Sequence, residues 1–211
     1  TVPVDAIELL SVVDPPPNLY TASAETPAEE ATGLRRLADV NPEAVRISSI
    51  LALLDREDVD LFREKDAVQA LRRVAVVRPE DCTPAIPILR SLLARDELPA
   101  RADVLATLRA IGDADPGEIA PLTGELVPYL QSNIVSVRRE ATRCIAAIAE
   151  EDPDDAVDAV PSLATIIEDD ADGLQYAVYA LSRITREYPE EVKPVAETLG
   201  DVILRDSLSD S

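Results

Sequence analysis

The chain has 211 residues, 46% of them hydrophobic, and carries 41 Asp and Glu against 20 Lys and Arg, a formal net charge of −21. This apolar content excludes a disordered acidic chain, because disordered chains lack the apolar residues needed to form a core. Aromatic residues make up 3% and there is no His, so the core must consist of aliphatic residues, and the commonest general base is missing.

Export and membrane insertion are not expected from this sequence. It contains no apolar run of about 18 residues and no signal peptide, so we expect a cytoplasmic location. Two cysteines, Cys82 and Cys144, are too few for a disulfide framework.

The N-terminal segment differs from the rest of the chain. Residues 1–26 hold one short apolar helix candidate, followed by Pro15, Pro16 and Pro17, which cannot continue a helix. We predict that this segment caps an array of helices at 27–206, and that the tail at 207–211 is frayed.

From residue 27 onward, a helix-like segment that ends in a proline recurs. The prolines stand 37, 37, 37 and 36 residues apart and are Pro42, Pro79, Pro116, Pro153 and Pro189. A fixed period in this range indicates a helical repeat array. The sequence therefore predicts about five repeats that start near residues 42, 79, 116, 153 and 189.

Residues at fixed offsets from these prolines form columns of similar size. Eight positions before them stand Leu34, Leu71, Leu108, Ile145 and Leu181, and nine before them stand the small residues Gly33, Ala70, Thr107, Cys144 and Ala180. Alternating large and small columns allow helices to pack closely. Each repeat then reads as a proline, an A helix, a turn and a B helix. We place A helices near 42–54, 80–94, 117–130, 154–168 and 190–204, and B helices near 27–38, 60–77, 98–111, 134–150 and 173–187.

One B helix carries a motif that resembles a known family. Residues 137–141, Val-Arg-Arg-Glu-Ala, resemble the V-R-x-x-A signature of HEAT repeats. With the period, the run from about 27 to 206 is similar to a HEAT array, an all-α superhelix of antiparallel helix pairs. The resemblance implies a scaffold or adaptor that binds proteins along a groove whose concave side is lined by B helices. Some members act on nucleic acid or attach chromophores.

The acidic composition resembles that of proteins from extremely salt-loving archaea. The acids are spread over every repeat, whereas a tail for a basic partner would concentrate them in one block. We therefore favour adaptation to salt, which keeps a strongly charged surface hydrated when screening is strong.

A stripe on the B helices avoids acidic residues. Positions fourteen, ten and six before each proline lie on one helix face, and they are Ala28, Thr32, Arg36, Lys65, Gln69, Arg73, Ala102, Ala106, Ala110, Arg139, Arg143, Ala147, Gln175, Tyr179 and Arg183. None is acidic, although the overall composition predicts about three acids in fifteen positions. The candidate partner-binding residues are Arg36, Lys65, Arg73, Arg139, Arg143, Tyr179 and Arg183, as anchors for an acidic segment of a partner protein.

An alternative role for these arginines is structural. The column thirteen before each proline, Glu29, Asp66, Asp103, Glu140 and Tyr176, is mostly acidic and adjoins the stripe. Its carboxylates can pair with arginines of neighbouring repeats and join the stack.

Catalytic and metal sites are not predicted. The sequence has no nucleophile or phosphate-loop motif, and the acid clusters at 150–155 and 169–172 lack the distal Glu of an EF-hand, so we interpret them as capping turns. The interpretation is a non-enzymatic protein-binding scaffold without metal or cofactor.

Two alternative functions and one further contact stay open. The alternatives are a binder of nucleic acid or a modified base, which the net charge disfavours, and a chromophore or cofactor lyase subunit. The apolar helix at 190–204 has no following B helix, so it is expected to contact a second copy or to be capped by its own charged face.

Overall fold

The computed structural model describes residues 27–56, 61–95, 97–169 and 172–196, and regular structure in these ranges is helical throughout. The α-helices are α1 (Pro27–Val40), α2 (Ile47–Leu54), α3 (Leu61–Val77), α4 (Ile86–Leu93), α5 (Arg101–Ala114), α6 (Thr123–Leu126), α7 (Val135–Glu151), α8 (Val160–Glu168) and α9 (Leu174–Glu187). Residues 189–196 are also helical. The predicted all-α class is confirmed, whereas the N-terminal cap, the tail and the end of the last helix lie outside the described residues.

Helices α1, α3, α5, α7 and α9 are the predicted B helices, and the others are A helices. Each B helix packs on the next B helix, and each A helix packs on the B helix that follows it. This arrangement is a solenoid of stacked antiparallel helix pairs. The count of five repeats stays a prediction.

The first four A helices begin in the tighter 3₁₀ form. The 3₁₀ segments before or within them are Pro42–Ala44, Glu80–Ala85, Pro116–Glu118, Ala120–Leu122, Val127–Gln131 and Asp154–Ala159. Prolines cause this departure from a continuous helix, because they cannot donate a backbone hydrogen bond. The third A helix is reduced to the single turn α6, since Pro121 and Pro128 lie on either side of it.

The core is one continuous apolar seam. Buried residues from Ala31 to Val192 belong to a single cluster. The large column is buried, with Leu71, Leu108 and Ile145 fully covered, and burying each such side chain stabilises the fold by about 1.5–3 kcal/mol. Apart from the half-buried Gly33, the small column is buried beside it, which brings neighbouring B helices close together.

The residue just before each proline shapes the turn from a B helix into the next A helix. Asn41 accepts a hydrogen bond from the Ala44 amide at 3.3 Å, and Asp115 accepts one from the Gly117 amide at 3.1 Å. Asp152 makes the same kind of cap. These caps satisfy amides at the start of these three A regions that have no partner within the helix.

A close contact at the end of α5 gives a test of the packing. A Cβ added to Gly112 would lie 2.2 Å from Cδ1 and 2.8 Å from Cγ1 of the fully buried Ile119. We expect Gly112→Ala to lower the free energy of unfolding in urea by about 1–2 kcal/mol, because overpacking outweighs the gain in helix propensity.

Gly124→Ala is the matched control, since a Cβ there meets nothing within 4 Å. We expect this variant to be as stable as the wild type or more stable. Equal losses in both variants would contradict the packing explanation.

Candidate functional site

The B helices place the stripe residues along one face of the stack, the B-helix face. Arg36, Lys65, Arg139 and Tyr179 are exposed on it. The centre of the face differs, because Ala106 and Ala110 of α5 are only 5% and 6% exposed. The cationic residues therefore lie towards both ends of the face, with closely packed alanines between them.

Several stripe arginines already have partners within the protein. Arg73 forms an ion pair with Asp39 of the preceding B helix, and Arg183 donates to the carbonyl of Glu150, also in the preceding B helix, at 3.0 Å. By contrast, Lys65 forms no ion pair with any residue in the described ranges. The same holds for Arg36.

Arg143 and Arg139 lie around one carboxylate of their own helix. Arg143 Nη1 is 3.7 Å from a Glu140 oxygen, and its guanidinium lies over the ring of Tyr176, 5.1 Å from the centroid. Arg139 Nε is 3.5 Å from the other Glu140 oxygen. Arg143 thus joins α7 to α9 through a cation–π contact.

The main ion pairs between neighbouring B helices use a column that the sequence analysis did not single out. Arginines seven positions before the first three prolines pair with acids of the next B helix, and these pairs are Arg35–Asp66 at 3.0 Å, Arg72–Asp103 at 2.7 Å and Arg109–Glu140 at 3.1 Å. We call this set the arginine ladder. The signal was present in the sequence, because each pair is separated by the same 31 residues.

Polar stripe residues support the same acids. The Thr32 hydroxyl donates to Asp66 at 2.9 Å, and the Gln69 amide donates to Asp103 at 3.3 Å. The acids of the column thirteen positions before the prolines therefore do join neighbouring repeats, mostly through arginines beside the stripe. The exposed cations Arg36 and Lys65 have no part in the ladder.

A cleft of about 820 Å³ opens between the ends of α5 and α7 and the first half of α9. Its lining includes Arg143, Ala147, Glu150, Tyr176 and Tyr179. The Glu150 carboxylate, close to the Tyr179 hydroxyl, raises the pKa of Tyr179 above its ordinary value. The cleft combines aromatic rings, one guanidinium and carboxylates, which suits a polar peptide segment.

The described residues offer little for metal or thiol chemistry. They contain no group of three or more His, Cys, Asp or Glu placed to hold a metal ion. Burial raises the pKa of the Cys82 thiol to about 11, an effect that nearby Arg78 partly opposes, and burial also raises the pKa of Cys144. Among the described helices, none has the length and apolar character to cross a bilayer.

Comparisons with solved structures identify the class of fold. An engineered protein from the Northeast Structural Genomics Consortium is 21% identical with a TM-score of 0.66, over 95% of this chain and 88% of that chain. A designed armadillo repeat protein is 23% identical with a TM-score of 0.69, over 83% of this chain and 84% of that chain. A second engineered protein from the same consortium is 24% identical with a TM-score of 0.69, over 96% of this chain and 54% of that chain.

At these identities the likeness shows the fold alone, which is a helical repeat solenoid. No family model matches the chain. No curated protein matches it either.

The arginine ladder predicts that Glu140 matters for stability. Glu140 is 8% exposed and has three arginines around it. We expect Glu140→Gln to lower the free energy of unfolding in urea by about 1.5–3 kcal/mol, since it weakens charged hydrogen bonds in a covered site.

The control is Glu125→Gln, because Glu125 also pairs with an arginine, Arg90, but in a more exposed place. We expect a loss below about 1 kcal/mol there. A loss at Glu140 no larger than the loss at Glu125 would refute a structural role for the ladder.

The cysteines give a second test. With a pKa of about 11, Cys82 is ionised at pH 8 in about one molecule in a thousand, against about a quarter for a free cysteine. We expect Ellman's reagent to label neither Cys82 nor Cys144 in the folded protein and to label both in urea. Rapid labelling of the folded protein would show that the thiols are accessible.

Proposed function

We propose that this chain is a non-enzymatic protein-interaction scaffold of the HEAT type, which binds an acidic segment of a partner protein along a concave B-helix face. The carrying observation is that this face keeps exposed cations in a protein of net charge −21. Arg36, Lys65 and Arg139 are exposed there, and Arg36 and Lys65 have no ion-pair partner among the described residues. Cations without partners on an acidic protein are suited to carboxylates from outside.

The remaining site residues have a double role in this proposal. Arg73, Arg143 and Arg183 already contact neighbouring B helices, so their side chains are held in place before a partner arrives. A fixed arginine loses less conformational freedom on binding, and its planar group can hold a carboxylate with two hydrogen bonds. Tyr179 adds an exposed ring at the edge of the cleft.

We also propose that the protein works in a cytoplasm of high salt concentration. The acidic, lysine-poor composition supports this location, because hydrated surface carboxylates keep the array soluble there. Binding then has to rely on well-placed arginine–carboxylate pairs, because exposed charges at longer range are screened.

A library of random 12-residue peptides displayed on phage tests this function on the immobilised chain. We expect enrichment of acidic peptides, and at least tenfold weaker binding of the best peptide to the Arg36→Gln, Lys65→Gln, Arg139→Gln triple variant. The stability of that variant should change by less than about 0.5 kcal/mol per site, as for other exposed positions.

The matched control removes three exposed cations elsewhere, by Arg46→Gln, Arg186→Gln and Lys193→Gln. We expect affinity within twofold of the wild type. If both triple variants weaken binding equally, general attraction explains it and the B-helix face is not the binding site.

A further inference from the structure

Two clefts of the same construction lie on the edge of the array where B helices turn into A helices, here called the turn edge. Cleft 1, of about 470 Å³, is lined by Glu80, Thr83, Pro84, Ile111, Ala114, Asp115 and Glu118. Cleft 2, of about 260 Å³, is lined by Pro116, Gly117, Ala120, Pro121, Ile148, Glu151, Asp152 and Asp155. Each residue of cleft 1 lies 37 positions before a residue of cleft 2, so the two are the same site in successive repeats.

Both clefts have an apolar floor and acidic walls. Ile111 and Ile148 are buried at the bottom, with an exposed proline beside each. The side chains of Glu118 and Asp155 are exposed, and neither forms an ion pair with a residue in the described ranges. No Lys or Arg lines either cleft. The fold therefore repeats a site that lacks a cation.

The preceding turn shows which group this site accommodates. There Arg78 stands at the position of Asp115 and Asp152. Its Nη2 donates to the carbonyls of Pro42 at 3.1 Å and Val45 at 2.7 Å, and its Nη1 donates to Asp81 at 3.2 Å. The protein's own guanidinium thus occupies the first site of the row.

Two of the three acceptors that hold Arg78 have counterparts at both open clefts. The Pro42 carbonyl corresponds to the Pro79 carbonyl at cleft 1 and to the Pro116 carbonyl at cleft 2. The Val45 carbonyl has no such counterpart, because Val45 is extended whereas Cys82 lies in a 3₁₀ helix and Ile119 has a helical conformation. The acid that corresponds to Asp81 is Glu118 in cleft 1, and it is Asp155 in cleft 2. Aspartates replace the arginine, and their short side chains cap the turn instead.

The following turn is also closed by a long side chain. Tyr188 occupies the same position before its proline, is half-buried against the core, and lies close to Asp154. Long residues therefore fill the turns on both sides, and the two turns between them stay open. Whether a turn is open or filled therefore depends on the length of the side chain just before its proline.

We propose that the two clefts of the turn edge bind two arginine side chains of a basic segment from a partner protein, each in the manner of Arg78. Arginine suits the site better than lysine, because a planar guanidinium can donate to a carbonyl and a carboxylate at once. This inference does not rest on the proposed function, since the turn edge and the B-helix face have different residues and opposite charge.

The repeat sets the spacing of the two arginines. Neighbouring helices pack about 8–10 Å apart, and a polyproline II segment has three residues per turn and advances about 3.1 Å per residue. Two arginines three positions apart in such a segment therefore lie on one face at the required spacing.

Fluorescence anisotropy with a labelled peptide that contains Arg-Ala-Ala-Arg tests the proposal. The control peptide carries citrulline at both arginine positions, which keeps the shape and removes the charge. Both are titrated at the lowest salt concentration at which circular dichroism shows the folded chain. We expect saturable binding of the arginine peptide and at least tenfold weaker binding of the citrulline peptide. Absence of saturable binding, or equal binding of the two peptides, overturns the proposal.

Two double variants separate the clefts from general charge. Glu118→Gln with Asp155→Asn removes one acid from each cleft, and Asp158→Asn with Glu168→Gln removes two exposed acids elsewhere. We expect at least tenfold weaker binding for the first pair and a change within twofold for the second. Equal weakening by both pairs would mean that the peptide only senses net charge.

A third variant, Asp152→Arg, is expected to fill cleft 2 from within, as Arg78 fills the first site. The peptide should then bind at least tenfold more weakly, with an unchanged circular dichroism spectrum. Unchanged affinity would show that cleft 2 does not hold the peptide. Arg36→Gln with Lys65→Gln should leave this binding unchanged, which distinguishes it from binding to the B-helix face.

Discussion

The structure depends on close contact between successive B helices. Small residues nine positions before each proline, such as Ala70, Cys144 and Ala180, are fully buried beside large ones such as Leu108 and Ile145. A large side chain then fills the space beside a small one, and dispersion contacts add up along the whole seam. Because each B helix meets mainly its neighbours, every other feature of the array is positioned by this local contact.

In the polar contacts beside the apolar seam, acidic side chains connect successive B helices. The arginine ladder places a carboxylate of one B helix against a guanidinium of the previous one three times, with Asp66, Asp103 and Glu140 as acceptors. Glu140 and Asp103 are mostly covered, so salt screens these pairs less than pairs in open water. The ladder therefore connects successive B helices through pairs that salt weakens less than fully exposed ion pairs.

The turns show how repetition creates sites. The residue before the proline differs between repeats. Asn41, Asp115 and Asp152 cap the turn, whereas the longer side chains of Arg78 and Tyr188 reach the turn of the previous repeat. A change of side-chain length at this position therefore closes or opens a cleft. A stack of similar helix pairs can thus carry different surfaces. The B-helix face is partly cationic, and the turn edge is acidic.

The sequence by itself determined the helical class and the register of the array. Five prolines at a nearly constant interval and the buried column that contains Leu71 and Ile145 sufficed, because helix periodicity and burial are local consequences of residue order. Only the tertiary structure decided which arginines meet which acids. The sequence pointed to the stripe with Arg139 and Arg143, yet the ladder runs through Arg35, Arg72 and Arg109, because the crossing of neighbouring helices decides which side chains face each other. The open clefts were equally hidden, since the reach of Arg78 and Tyr188 across a turn depends on the distance between repeats and on no single helix.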